Sequence, residues 1–367
     1  MPSVNTFEGA VVVLGTRPEI IKLAPIIGKM RPEPRLIHTG QHYDAQLSAS
    51  FFEAFALRPP TTTLGVGGKS RGAQIGNAIS ALDELFAEIS PTCVIAQGDT
   101  NSTVAAAVAA NAREIPLIHV EAGLRSFDRA MPEEHNRVIA DHLTDLCLAP
   151  THVSRSNLVA EGIDEKRISI TGNTVVDAVN HLLPDEGARA GILAQNDVER
   201  ERFALSTFHR PENVDDPDRL ATILDQLRLV GLPVVLPVHP RTRAQIDRHG
   251  LDRSGGLLRL IDPIGYVQFL GLLAECALAI GDSGGVQEEV SVLKRPMIVV
   301  RRSTERPEVL DTFCTLVSPD EISARARDWL TDLSGNLRRL GETPSPYGDG
   351  HASERSVEAI RSHLEAG

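Results

Sequence analysis

Short apolar runs ending in Gly, Asp or another polar residue recur along the chain, each followed by a stretch of helical period. The first run, residues 10–14 (AVVVL), leads into a helical pattern over residues 19–30. This alternation constrains the fold more than any other feature, because parallel strands need a crossover between them and a helix usually supplies it. Runs at 36–38, 93–96, 117–120 and 146–149 continue the series, each followed by a helical stretch. A second series occupies 203–206, 234–237, 257–260, 277–280 and 297–300. The expected fold class is α/β, built as two doubly wound, Rossmann-like domains. The length of 367 residues agrees, at roughly 150 per domain.

The boundary is expected near residue 180, with domains over 1–180 and 181–349. The segment 184–197, which carries Pro, two Gly and mixed charges, reads as a connection plus the start of the second domain. PSPYGDG at 344–350 is a turn cluster, and residues 353–364 form a short amphipathic helix able to dock on either domain. No internal repeat stands out, which disfavours a solenoid.

Composition matters chiefly for what it excludes. The balance of 37 basic against 49 acidic residues gives a formal charge of −12, which opposes wrapping in nucleic acid or binding an anionic membrane. Four cysteines without CxxC spacing point to a reducing cytoplasm. The N-terminus lacks a basic region and a long apolar region, and its first apolar run is far short of the ~20 residues a spanning helix needs. A soluble, cytoplasmic protein is expected.

In open parallel sheets, ligands bind beyond the carboxyl ends of the strands, and the polar clusters lie there. Gly15-Thr16-Arg17-Pro18-Glu19 follows the first run, with Lys22 one turn later. Exposed amides at a helix start favour an anion, and Arg17 can fork onto phosphate oxygens. An ordinary helix start with a solvated Arg17 and Lys22 fits the segment equally. Asp282-Ser283-Gly284-Gly285 opens a helix bearing Glu288 and Glu289; its glycines admit a diphosphate and a Glu one turn in suits ribose hydroxyls. A tight turn with an acidic first helical turn is the plainer alternative. Neither segment is GxGxxG or a Walker A loop.

Carboxylates gather at further strand ends: Asp99, Glu121, and Glu133 with Glu134. Held in a closed site, such groups are natural general acids and bases. As ordinary structure, Asp99 caps a helix and Glu133 pairs with Arg137 four residues on. His209, Arg210 and His239 follow the first two strands of the second domain and face a presumed phosphate site. No zinc-ligand spacing, GxSxG elbow or base-stacking aromatic pattern is present, so metal hydrolysis, serine-triad chemistry and nucleic-acid binding fall away.

Together GTRPEIIKLAP, TGQHYD, QGDTNSTVAAA, HVEAGLRSFDRAMPEEHNR, ITGNTVVD, HRPEN, DSGGVQEE, TERPE and PYGDGHASER, spread over residues 15–355, resemble the non-hydrolysing UDP-N-acetylglucosamine 2-epimerases. The resemblance implies a GT-B-like pair of domains with the active site in the cleft between them, a homodimer, and a C-terminal helix over 350–367 packing back on the first domain. It places Arg17, Ser283, Gly284, Gly285 and Glu289 at positions that hold UDP, and His239 is grouped with them. It places Lys22, Asp99, Glu121, Glu133, Arg137 and His209 at catalytic positions. It also implies anti elimination of UDP to a glycal and re-addition with inversion at C2, which moves no hydride and needs no cofactor or metal. Asp99 and Glu133 are expected to transfer protons with Glu121 in support.

One departure stands out. Family members activated by a second substrate molecule carry a Gln after the QH pair and a second Arg after His-Arg, where this chain has Tyr43-Asp44 and Pro211. Activation is expected to be absent or altered. Two alternatives keep the nucleotide site: the same chemistry on a UDP-diacetamido-glucuronic acid, and a GT-B glycosyltransferase.

Overall fold

The computed structural model describes residues 6–41, 51–251 and 255–366. The chain divides into two compact units: Met1–Asn180 with Tyr347–Gly367, and His181–Pro346.

In the first unit, β1 (Ala10–Leu14), β2 (Arg35–His38), β3 (Thr62–Thr63), β4 (Cys93–Gln97), β5 (Leu117–Val120), β6 (Leu146–Ala149) and β7 (Ile168–Ile170) form one parallel sheet. Its order is β3-β2-β1-β4-β5-β6-β7. β1 and β4 are buried throughout, as strands covered on both faces must be, and their runs are therefore apolar without alternation. Val12 faces Leu36 on one side and Ile95 on the other. The helix Asn101–Ala112 is apolar nearly all round; its alanines bury against the neighbouring helix Arg71–Ile89 and the sheet. The C-terminal helix Ala352–Ala366 belongs to this unit. Asp177 accepts from the amides of Ala352 and Ser353 at 3.2 and 2.9 Å, and Arg355 donates to the Thr171 carbonyl at 2.7 Å.

The second unit repeats the plan with six parallel strands: β8 (Ala204–Thr207), β9 (Val234–Pro237), β10 (Leu258–Ile261), β11 (Leu278–Gly281), β12 (Met297–Val300) and β13 (Cys314–Val317), in the order β10-β9-β8-β11-β12-β13. Its core gathers Phe208, Leu220, Leu224, Leu236, Ile280 and Ile298 among others. Both sheets reverse direction of growth at one point, between β1 and β4 in the first unit and between β8 and β11 in the second. In doubly wound folds ligands sit at the carboxyl ends of the strands beside such a point.

Three strands are additional to the sequence reading: the polar pair Thr62–Thr63, the three-residue Ile168–Ile170 and Cys314–Val317. All are short and lie at or next to a sheet edge, where a long apolar run is not required. The segment 184–197 is largely helical, with Glu186–Gln195 capped by Asp185, whose carboxylate accepts from the Ala188 amide at 2.8 Å. Among the described residues no helix is long and apolar enough to cross a membrane, and all four cysteines are buried thiols.

Candidate active site

In the first unit the loops after β1 and β4 interlock. A Cβ on Gly15 would lie 2.0 Å from Ser102 Oγ and 2.2 Å from Thr39 Oγ1, so only glycine lets these loops approach. Glu19, fully buried at the start of the helix Arg17–Ile27, ties them together. It accepts from the Gly15 amide at 3.0 Å, Thr16 Oγ1 at 2.8 Å and Thr100 Oγ1 at 2.9 Å. Burial raises its pKa to about 7, against these hydrogen bonds.

Glu121, one residue past β5, is buried with a φ of 66°, a conformation costly for a non-glycine residue. Its carboxylate pairs with the Lys22 ammonium, also buried, and accepts from Gln97 Nε2 and from Asn173 Nδ2 at 3.0 Å. Three separate segments thus converge on one carboxylate. Asp99 lies on the next loop, 30% exposed, and one of its oxygens accepts both Nε and Nη2 of Arg137 at 2.9 and 2.6 Å.

The expected Glu133–Arg137 surface pair is not formed. Arg137 is buried and binds Asp99 and, at 2.5 Å, Glu134. Glu134 also accepts from the amides of Ser126 and Phe127 at 3.0 and 2.8 Å. Burial alone would raise its pKa, yet these amides and Arg137 hold it below the usual carboxylate range. Glu133 is half-buried and Arg17 exposed; neither forms a hydrogen bond or ion pair with the described residues.

In the second unit the hub is Asp282, fully buried just after β11. It accepts from the amides of His209 and Arg210 at 3.2 and 3.1 Å and from Asn213 Nδ2 at 3.0 Å, and its carboxylate lies 3.1 Å from His209 Nδ1. Burial opposes ionisation, but these donors outweigh it and the pKa falls below the usual range. Asp282 thereby fixes the His209 ring. The ring centroid of His239 is 5.6 Å away, and His239 Nδ1 accepts from the Arg241 amide at 3.2 Å.

The helix Gly284–Leu293 starts beside this hub at Ser283, whose own side chain makes no capping hydrogen bond. Its counterpart in the first unit, Asn101–Ala112, is capped twice, by Thr100 on the Thr103 amide and by Gln41 on the Ser102 amide. Of these two switch-point helices, the one whose N-cap side chain leaves the first-turn amides to an anion is in the second unit. Gly284 is closely covered: a Cβ there would lie 2.6 Å from Arg306 Nη1 and 2.8 Å from Glu305 Oε1, and these side chains would have to shift. One turn in, Glu289 accepts from Tyr266 Oη at 2.8 Å, and burial together with that carboxylate drives the tyrosine pKa well above 10.

The structure therefore brings Lys22 to Glu121 and Arg137 to Asp99 in the first unit, and His209 to His239 in the second, where Ser283–Gly285 and Glu289 share one helix start. Sequence reasoning missed Gln97, Asn173, Glu19, Asp282 and Tyr266 as site residues. Only Tyr266 lies outside the quoted motifs; the others carried a signal in their polar character at a strand end. Asp44 lies outside the described residues, and Pro211 begins the short helix Pro211–Val214. Among the described residues no group of three or more His, Cys, Asp or Glu side chains could hold a metal ion.

Comparison with known proteins places these motifs. A family model described as UDP-N-acetylglucosamine 2-epimerase matches residues 28–361. The UDP-N-acetylglucosamine 2-epimerase of Methanocaldococcus jannaschii is 36% identical over 95% of this chain and 98% of its own. A UDP-2,3-diacetamido-2,3-dideoxy-D-glucuronate 2-epimerase of Pseudomonas aeruginosa is also 36% identical over the same shares. The crystal structure of the M. jannaschii enzyme with UDP-GlcNAc and UDP superposes with a TM-score of 0.84 at 38% identity, covering 95% of this chain and 98% of that one. Both the motifs and the paired Rossmann-like, GT-B-like fold are accounted for by one ancestry: the chain belongs to the UDP-N-acetylglucosamine 2-epimerase family.

Proposed function

We propose that the protein interconverts UDP-GlcNAc and UDP-ManNAc by anti elimination of UDP and its re-addition. The C2–H and C1–O bonds break, a C1=C2 bond forms, and UDP leaves with the C1–O electron pair. A proton then returns to C2 from the opposite face and UDP adds back at C1. No hydride moves, so no redox cofactor is needed.

The first turn of the helix Gly284–Leu293, through Ser283, Gly284 and Gly285, holds the diphosphate, while Glu289 binds the ribose and His239 flanks the nucleotide. Arg17, Lys22 and His209 stabilise the departing charge. Asp99 and Glu133 carry the C2 proton on and off, with Glu121 and Arg137 setting the site's charge. C2–H lacks an adjacent carbonyl to acidify it, so departure of a well-stabilised diphosphate must lower the barrier. Inversion needs proton carriers on two faces of the ring. The observation that carries this reading is the set of carboxylates at neighbouring strand ends, Asp99 and Glu121 each paired with its own cation and Glu133 left open. A glycosyltransferase would need fewer.

The protein acts as a cytoplasmic homodimer, which light scattering checks, and with Asp44 and Pro211 in the chain its rate curve with substrate is hyperbolic. A second reading keeps the chemistry on a UDP-diacetamido-glucuronic acid, favoured by the equal identity to the P. aeruginosa enzyme. Comparing kcat/KM for the two sugar nucleotides by proton NMR of the new anomeric signal decides it. A preference for UDP-GlcNAc supports the first reading; a preference for the uronic acid selects the second.

A further inference from the structure

Beneath Asp99 and Glu121 lies a buried charged chain with no part in the reaction just described. His119, on β5, is 1% exposed and contacts two groups that can only accept. Its Nε2 lies 2.8 Å from the Gly98 carbonyl and its Nδ1 lies 2.6 Å from Asp141 Oδ1. A neutral imidazole carries one N–H and would set a lone pair against one of those oxygens. Placing the missing proton on Asp141 is opposed by its other oxygen, which meets Arg125 Nη1 at 2.7 Å and accepts from the Gly123 amide at 3.1 Å. Arg125 in turn grips Glu161 through two bonds of 2.7 and 2.5 Å, so two cations and two anions close the chain at zero net charge. His142, 3.9 Å from Glu161, and the buried Cys147 thiol, 3.9 Å from the Asp141 carbonyl, lie beside the chain, with Asp145 and Arg167 close enough to Cys147 to act on it electrostatically.

The chain grips both loops that carry the carboxylates. Gly98 has a φ of 73° and immediately precedes Asp99; the His119 bond holds its carbonyl. Asp141 holds the Gly123 amide, two residues beyond Glu121, and His119 stands two residues before it. We propose that His119 is a positioning residue, locked as an imidazolium by Asp141, that holds Asp99 and Glu121 in register for the proposed epimerisation. It rests on that reading for its consequence in turnover but not for the state of the ring.

The test uses the full chain. In 15N-labelled protein the ring nitrogens of His119, assigned by the loss of its signals in the variants, should both be protonated and unchanged from pH 6 to 9. A neutral tautomer, or titration within that range, overturns the proposal. His119→Asn can still donate to Asp141 but cannot reach the Gly98 carbonyl; His119→Gln keeps a donor towards Gly98. The Asn variant should lose about 10–100-fold in kcat, the scale of a catalytic group displaced by about 1 Å. KM and UDP affinity should stay within about threefold, and the Gln variant should lose less whichever unfolds at the lower temperature. A kcat within about threefold of the unsubstituted chain in the Asn variant, or a loss that follows thermal stability and UDP affinity, contradicts the role. If neither variant folds, the ring nitrogens of the unsubstituted protein, assigned through bonds from the His119 backbone, decide. If the unsubstituted protein fails to turn over UDP-GlcNAc, it is the epimerase reading that falls, and the ring spectrum still reports on the lock.

Discussion

Glu121→Gln isolates the pair at the centre of the first unit. The side chains of Glu121 and Lys22 are only 5% and 7% exposed. An amide has one acceptor oxygen where the carboxylate uses both, so its NH2 must face either Gln97 Nε2 or the Lys22 and Asn173 donors. The larger cost is the Lys22 ammonium left buried without its counter-ion, for which about 3–5 kcal/mol is typical. Lysine can escape by releasing its proton, which from an ordinary pKa of about 10.4 costs about 4.6 kcal/mol at pH 7 and about 1.9 kcal/mol at pH 9. The destabilisation should therefore shrink by up to about 2–3 kcal/mol between those pH values, and Lys22→Met in the same chain should recover most of it. The assay is urea unfolding followed by far-UV circular dichroism, because the single tryptophan, Trp329, lies in the other unit and its fluorescence is blind to this one. Two substitutions that add within about 0.5 kcal/mol, with a deficit equal at pH 7 and 9, would refute the buried pair.

Glu19 supplies a prediction of opposite chemistry. Its pKa rises from 4.5 to about 7, so the folded chain holds a proton that the unfolded chain releases between those values. Its contribution is intact below about pH 4.5 and about 3 kcal/mol of it is lost by pH 8. The stability gap between Glu19→Gln and the unsubstituted chain should move in the variant's favour by that order from pH 5 to 8; a gap independent of pH contradicts the buried carboxyl. Gly284→Ala places a methyl against Arg306 and Glu305 and should weaken UDP binding at least tenfold by calorimetry, and unchanged affinity would remove that helix start from the nucleotide site. Asp99→Asn and Glu133→Gln should each lower turnover by at least 100-fold while UDP still binds, and retained turnover in both would exclude them from proton transfer.

The legible part of the fold was the part that burial enforces. AVVVL and CVIA had to be apolar on both faces, which identified the central strands, whereas Thr62–Thr63 and Ile168–Ile170 at the sheet edges carry no such demand. Proline and glycine made 184–197 look like a connection, although Asp185 as a capping residue with Glu186 in the first turn is also a helix start. At the site, residue types at strand ends were readable but their partners were not. Arg137 lies four residues from Glu133 and yet turns to Asp99, 38 positions away, because its face of the helix Pro132–Leu143 is buried against that loop. Asp282 opened a motif read for its glycines and proved to be the acceptor that anchors the His209 loop. Pairing across loops depends on sheet order, which local patterns do not encode.

In the proposed reaction, carboxylates in the first unit take a proton from C2 and return one from solvent to its other face. Incubation of UDP-GlcNAc with the protein in D2O, followed by proton NMR, tests it most directly. The expected product is UDP-ManNAc bearing deuterium at C2, with the same label appearing in recovered UDP-GlcNAc. An epimer that keeps its C2 proton, or transfer of the sugar to an acceptor with no exchange at C2, would contradict it.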